Sequence, residues 1–328
     1  MTSRHLVDPE LVALLDQIPS PALTTETLNQ IRAMTPRASA NSLQFSAISV
    51  SERFIPGPEG APEVRVLLYL PTSVQGPLPV LLWIHGGGYI MGSADAEDLA
   101  VKSTVSAIGC AAVSVDYRLA PETPYPGPVE DCYAALKWLF THAGELGIDP
   151  KRIAVYGSSA GGGLAAALAL LTRDRGEVPL VFQCLLAPML DDRTCTLANP
   201  HPYTGEFIWT PEANRFGWTA LLGQEPGGPD ISPYAAAARV EHLEGLPATF
   251  IYVGALDLFL EEDLEYARRL MRAGVPTELH VYPGAYHGFR LVADARVTQA
   301  ATRDQLAALK RAFDPARRSN NPLQISHS

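Results

Sequence analysis

From about residue 60 the apolar positions fall into short runs separated by longer stretches of helical period. "EVRVLLYLP" alternates and predicts a strand, while "LPVLLWIHGGG" is apolar until its glycines and predicts a buried strand ending in a loop. "CAAVSVDYRLAPE" reads as another strand, this one running into a proline-containing loop. In "PVEDCYAALKWLFTHAGELG" the apolar Val129, Cys132, Leu136, Leu139 and Phe140 recur at helical spacing, with Gly147 as a stop signal. The pattern continues as strand "KRIAVYG", helix "AGGGLAAALALLTRDRG", strands "PLVFQCLLAP" and "ATFIYVGALD", helix "LEEDLEYARRLMRAG", strand "TELHVYP" and helix "TQAATRDQLAALKRAF". Continuous apolar strands separated by amphipathic helices predict an α/β fold whose mostly parallel sheet is covered on both faces. Within "LEEDLEYARRL", Glu261, Glu262 and Asp263 read as a solvated first helical turn.

Two regions break the alternation. Residues 1–45 hold one or two helices and several prolines, and residues 190–240 are rich in aromatics and Pro/Gly turns. A long irregular insertion in a compact domain is usually functional, such as a lid. The chain therefore divides into an N-terminal helical segment (1–45), core (46–189), insertion (190–240), core (241–316) and a polar tail (317–328) expected to fray.

Composition narrows the function classes. With 47% hydrophobic and 18% charged residues the chain buries a large core, and its net charge of −10 disfavours nucleic acid or an anionic membrane surface as partner. Asp8, Glu10 and Asp16 interrupt any signal-peptide core, and the longest apolar run, "LAAALALL", is far below the ~20 residues of a membrane span. Cys110, Cys132, Cys184 and Cys195 show neither C-x-x-C spacing nor zinc-ligand spacing, so no metal site is expected and reduced thiols in the cytoplasm are. An exposed edge strand or the last helix leaves room for a homodimer.

Candidate chemistry centres on "IAVYGSSAGGGLAAALALL". G-x-S-x-G fits in one register, Gly157 to Gly161, which selects Ser159 over Ser158 as the nucleophile candidate. A sharp strand-to-helix turn requires small residues two before and two after the serine, and the following helix aims free N–H groups at it. A Walker loop is excluded because no Lys-Ser/Thr follows the last glycine, and a G-x-G-x-x-G dinucleotide loop is not matched. "HGGG", His85 to Gly88, follows a buried strand and offers backbone donors that could approach a tetrahedral oxyanion. For the base, His287 lies in a loop after the last strand, whereas His280 sits within that strand and His327 in the tail. For the acid, Asp257 ends a buried strand; it also suits a helix N-cap, and Asp191 or Asp192 remains an alternative.

These motifs resemble the hormone-sensitive-lipase-like bacterial carboxylesterases of the α/β-hydrolase superfamily. The resemblance rests on "HGGGYIMGS", "VDYRLAPETPYPGPVEDCYAALKWL", "YGSSAGGGLAAAL", "SPYAA" and "GALDLFLEEDLEYARRLMRAGVPTELHVYPGAYHGF", and it spans about residues 60–295. It implies an eight-stranded α/β-hydrolase sheet and a helical cap made from the N-terminal segment and part of 190–240. It further implies a Ser159–His287–Asp257 triad, oxyanion donors from Gly87, Gly88 and Ala160, no cofactor, and a small ester of short acyl chain as substrate. Tyr89 and Leu258 adjoin this machinery and are candidates for lining the pocket or, equally, for the core. Asp116, Arg118 and Glu122 of "DYRLAPE" are expected to be structural. Ser158 departs from the Asp or Thr often found before the family's nucleophile. Another acyl bond (amide, lactone or carbonate) or a non-catalytic small-ligand receptor is the alternative function, although receptors on this fold have lost the histidine that His287 represents.

Overall fold

The structure, a computed structural model, describes residues 2–17, 23–33, 45–74 and 76–314; the tail at 317–328, with His327, lies outside the described residues. Strands β1 (Ile48–Ile55), β2 (Val64–Pro71), β3 (Leu78–Ile84), β4 (Ala111–Asp116), β5 (Ile148–Ser158), β6 (Phe182–Leu186), β7 (Ala248–Gly254) and β8 (Thr277–Tyr282) form one sheet. Their order is β1-β2-β4-β3-β5-β6-β7-β8. Only β1–β2 and β2–β4 pair antiparallel; the remaining pairs are parallel. The helices are α1 (Val12–Leu15), α2 (Thr25–Ala33), α3 (Asp98–Ile108), α4 (Gly127–Thr141), α5 (Ala160–Arg175), α6 (Pro211–Leu222), α7 (Leu260–Arg272) and α8 (Arg296–Phe313).

The continuous apolar run of β3 has its cause in this layering. Val80, Leu82 and Ile84 enter one core with Leu136 of α4, Leu168 of α5 and Leu270 of α7. Leu81 and Trp83 enter the opposite core with Val101 and Val105 of α3 and Leu309 of α8. Both faces are covered, so both sets of side chains leave water, each contributing about 1.5–3 kcal/mol on full burial. Parallel pairing brings the carboxyl ends of β3, β5, β6, β7 and β8 to one side of the sheet, where open α/β sheets form their crevice.

Some elements escape the hydrophobic pattern. Strand β1 is buried only at its two ends, so it shows no alternation, and α3 was not marked by the pattern either. Helix α4 stops at Thr141, before the expected Gly147, and Gly147 instead turns the chain into β5 at φ 67°. The 190–240 insertion is not wholly irregular: α6 starts with Thr210 accepting the Ala213 N–H, carries Pro211 in its first turn and ends at Gly223 with φ 67°. Leu28 of α2 packs with Phe216 and Ala220 of α6 against Ile90 and Ala120. Arg32 fixes α2 there by donating to the carbonyls of Ile90 (2.7 Å) and Ala120 (2.8 Å).

The first turn of α7 requires a correction. Glu261 is exposed, but Glu262 and Asp263 are buried, sharing the inward face of α7 with Tyr266, Ala267 and Leu270. The Glu262 carboxyl accepts the N–H groups of Leu190 (2.6 Å) and Asp191 (3.2 Å) and the Thr194 hydroxyl, and so holds the start of the insertion. Among the described residues, Asp263 has no hydrogen-bond partner for either carboxyl oxygen. Burial, with the neighbouring Glu262 and Asp257, raises its pKa well above the ordinary value. Asp192 is fully buried too, and takes a two-pronged contact from Arg239 (2.8 Å each) and the Gly227 N–H (2.6 Å).

Two stability predictions follow from these acids. A raised Asp263 keeps a proton that the unfolded chain releases above ~pH 4, so its contribution is complete below that pH and is lost as pH rises. Asp263→Asn removes that loss: melting temperatures taken between about pH 5 and about pH 9 should show the variant gaining on wild type as pH rises, and a constant gap would refute this. Asp192→Ala strands the Arg239 guanidinium and should cost about 3–5 kcal/mol in urea unfolding; a cost within the range of surface substitutions would contradict it.

Candidate active site

Ser159 follows β5 and caps α5 with φ 56° and ψ −123°, a backbone conformation that costs a non-glycine residue about 1–3 kcal/mol. It is held there from both sides. Its N–H donates to the Leu186 carbonyl (2.9 Å), and its carbonyl accepts from Gly163 and Met189 (3.0 Å each). Gly161 has no room for a side chain, because a Cβ there would stand 2.1 Å from the Ile84 carbonyl oxygen and 2.4 Å from that of His85. This contact sets the first turn of α5 against the end of β3.

The Ser159 Oγ lies 3.0 Å from His287 Nε2, and His287 Nδ1 lies 2.9 Å from Asp257 Oδ2. A carboxylate only accepts, so Nδ1–H donates to Asp257 and Nε2 is left to accept the Ser159 hydroxyl proton. The other Asp257 oxygen accepts the Phe259 N–H at 3.0 Å, and the residue is only 1% exposed. The structure thus brings Ser159, His287 and Asp257 together from the ends of β5, β8 and β7. The alternative acids do not reach the histidine: Asp191 pairs with Arg193, and Asp192 with Arg239. His280 stays on β8 in contact with Glu278.

The HGGG loop lies beside this array. His85 is buried, its ring stacked on Tyr117 with centroids 4.2 Å apart, and its Nδ1 contacts the Gly86 carbonyl at 2.7 Å. Burial lowers its pKa, which keeps the ring neutral and makes it a structural part of the loop. The N–H groups of Gly87, Gly88 and Ala160 make no backbone hydrogen bond among the described residues. Ala160 is the first residue of α5, so its N–H is one of the free donors at the positive end of the helix.

Of the two candidate lining residues, Tyr89 is a correction. It is fully buried at φ 67°, packs on Trp218 and donates its hydroxyl to the Met189 carbonyl (2.8 Å), so it belongs to the core under the site. Leu258 is 7% exposed and lies against Gly205 of the insertion. Asp116, Arg118 and Glu122 all sit in ion pairs, with Arg65, Asp131 and Arg32.

Three residues around the site had no sequence signal of their own. Glu97 accepts the Gly86 N–H (3.2 Å) and the Trp83 indole N–H, bracing the glycine loop. Arg290, just past His287, donates to the Tyr156 hydroxyl (3.1 Å) and so ties the histidine loop to β5. Trp209 stands 6.3 Å from the His287 ring. An acid in an acidic loop or a tryptophan in an aromatic-rich insertion carries no periodicity that points to a site. Two cavities, of about 330 Å³ and 470 Å³, lie elsewhere, the first beside Arg152 and Lys310 and the second on α6 beside Cys195. Among the described residues no cluster of His, Cys, Asp and Glu could hold a metal ion, and no helix is long and apolar enough to cross a membrane.

Known proteins resemble this chain in sequence and in fold. A family described as alpha/beta hydrolase fold matches residues 81–291. Carboxylesterase NlhH of Mycobacterium tuberculosis is 38% identical over 320 residues, covering 95% of this chain and 98% of that protein. Esterase LipI of the same species is 35% identical, covering 90% of this chain and 91% of its own. Among solved structures, a bacterial heroin esterase superposes with a TM-score of 0.88 at 42% identity, covering 95% of this chain and 100% of that one. The chain belongs to the α/β-hydrolase family, in its hormone-sensitive-lipase-like carboxylesterase branch, and is a carboxylic ester hydrolase.

Proposed function

We propose that Ser159, His287 and Asp257 are the catalytic triad of this esterase, with the N–H groups of Gly87, Gly88 and Ala160 as its oxyanion hole. The observation that carries this reading is the unbroken hydrogen-bonded chain from Asp257 through His287 to Ser159, ending on a serine in a strained turn at a helix N-terminus. His287 takes the Ser159 proton as Oγ attacks the ester carbonyl, while Asp257 orients the ring and stabilises its cationic form. The carbonyl oxygen, now an anion, turns to the free amides of the HGGG loop and α5. His287 then protonates the leaving alcohol, and water activated by the same ring releases the acid from Ser159. None of these steps calls on a metal or cofactor.

The substrate in this reading is a small ester with a short acyl chain. Ser159 is only 8% exposed, and α2 and α6 pack together against Ile90 and Ala120, just past HGGG, which supports a confined site. In this reading α2 and α6 are the cap. The relatives, an esterase of heroin among them by its name, fit a small-molecule ester. The four free thiols fit a reducing cytoplasm.

Ser159→Ala should lower kcat on a nitrophenyl ester by roughly 10,000-fold or more, and Asp257→Asn by roughly 10,000-fold, with circular dichroism unchanged. Turnover surviving in a folded Ser159→Ala variant would sink the triad. A wild-type optimum at long acyl chains in the same assay would sink the short-chain reading.

A further inference from the structure

Trp209 occupies a position that requires several separate arrangements. The residue before it, Ile208, has φ 63°, and the Trp209 N–H closes back onto the Phe207 carbonyl at 2.7 Å. A β-branched residue with positive φ is a backbone outlier that persists only where surrounding structure enforces it. Here the indole is the enforced feature. Its N–H donates to the Oδ1 of Asn214, a fully buried residue of α6, at 3.1 Å. Its benzene edge lies on Gly88: a Cβ built on Gly88 would stand 2.1 Å from Trp209 Cη2 and 2.7 Å from Cζ2. Gly217 of α6 is a neighbour of the same edge, its own Cβ position 2.7 Å from the Gly88 carbonyl oxygen and 3.5 Å from Trp209 Cζ2. The ring is 7% exposed. The indole therefore lies between the glycine loop and α6, with its ring tilted 42° to that of His287 and the centroids 6.3 Å apart.

The geometry points to Trp209 as the wall of the subsite that receives the alcohol half of the ester, and as the residue that limits the size of that alcohol. This inference rests on the proposed triad. His287 Nε2 must come within hydrogen-bond reach of the leaving oxygen to protonate it, so the group attached to that oxygen lies on the His287 side of the carbonyl. The carbonyl oxygen itself points to Gly87, Gly88 and Ala160. A group that starts beside His287 and passes the Gly88 amide meets the Trp209 indole. Helix α6 and Asn214 leave the indole no direction in which to retreat, so the wall is rigid and discrimination is steric.

The test separates the two halves of the substrate. One series holds the acyl group as acetyl and enlarges the alcohol from ethyl through phenyl to naphthyl; the other holds the alcohol as nitrophenol and lengthens the acyl chain. For Trp209→Ala, kcat/KM on naphthyl acetate relative to ethyl acetate should rise ~10-fold or more over wild type, while the order of preference along the acyl series stays as in wild type. Trp209→Phe, which keeps a ring on Gly88 but loses the bond to Asn214, serves where the alanine variant does not fold, and should give a smaller shift in the same direction. An unchanged naphthyl-to-ethyl ratio in a folded variant, or a shift in the acyl series instead, overturns the assignment. Absence of turnover in wild type on every ester, or turnover that survives Ser159→Ala, counts against the triad itself and is told apart by needing no Trp209 variant.

Discussion

The site depends on one close contact, that between the first turn of α5 and the end of β3. Gly161 sits on the carbonyls of Ile84 and His85, and Gly86 approaches the Ser158 carbonyl so that a Cβ there would be 2.9 Å from it. Backbones can come this near only where side chains are absent. The contact sets a strained serine and a helix N-terminus beside the HGGG loop. Without it, the sheet would still form, but Ser159 and the HGGG loop would sit apart.

The surrounding structure holds this arrangement from several directions. On one side Glu97 joins the glycine loop to Trp83, Trp83 stacks on Tyr156 with centroids 3.6 Å apart, and Tyr156 receives Arg290 from the histidine loop. On the other side Glu262 and the Asp192–Arg239 pair anchor the insertion that carries Trp209. A buried ion pair such as Asp192–Arg239 adds little net stability compared with apolar packing, yet removing one partner is costly. Such anchors specify where a long connecting segment must lie, which a purely apolar contact with its loose directionality would not.

The alternation of apolar runs and helical stretches, fixed by side-chain spacing within a few residues, determined the fold class and most of the element order. The tight glycine requirements around Ser159 and the loop after β8 marked out Ser159 and His287 for the same local reason, and Asp257 stood at the end of a strand legible on its own. Helix α6 was not read from its own residues, because the aromatics and Pro/Gly turns of 190–240 masked its period. What only the tertiary structure decided depends on which distant segments meet. Glu262 and Asp263 look like a hydrated helix start, but the rotation of α7 against its neighbours turns them inward. Tyr89 follows the glycine loop directly, yet its backbone carries the ring into the core. Glu97, Arg290 and Trp209 acquire their roles from partners far along the chain, as with Trp209 and Gly88. Residue spacing records the geometry of one turn or one strand; it holds no record of the packing that closes a site.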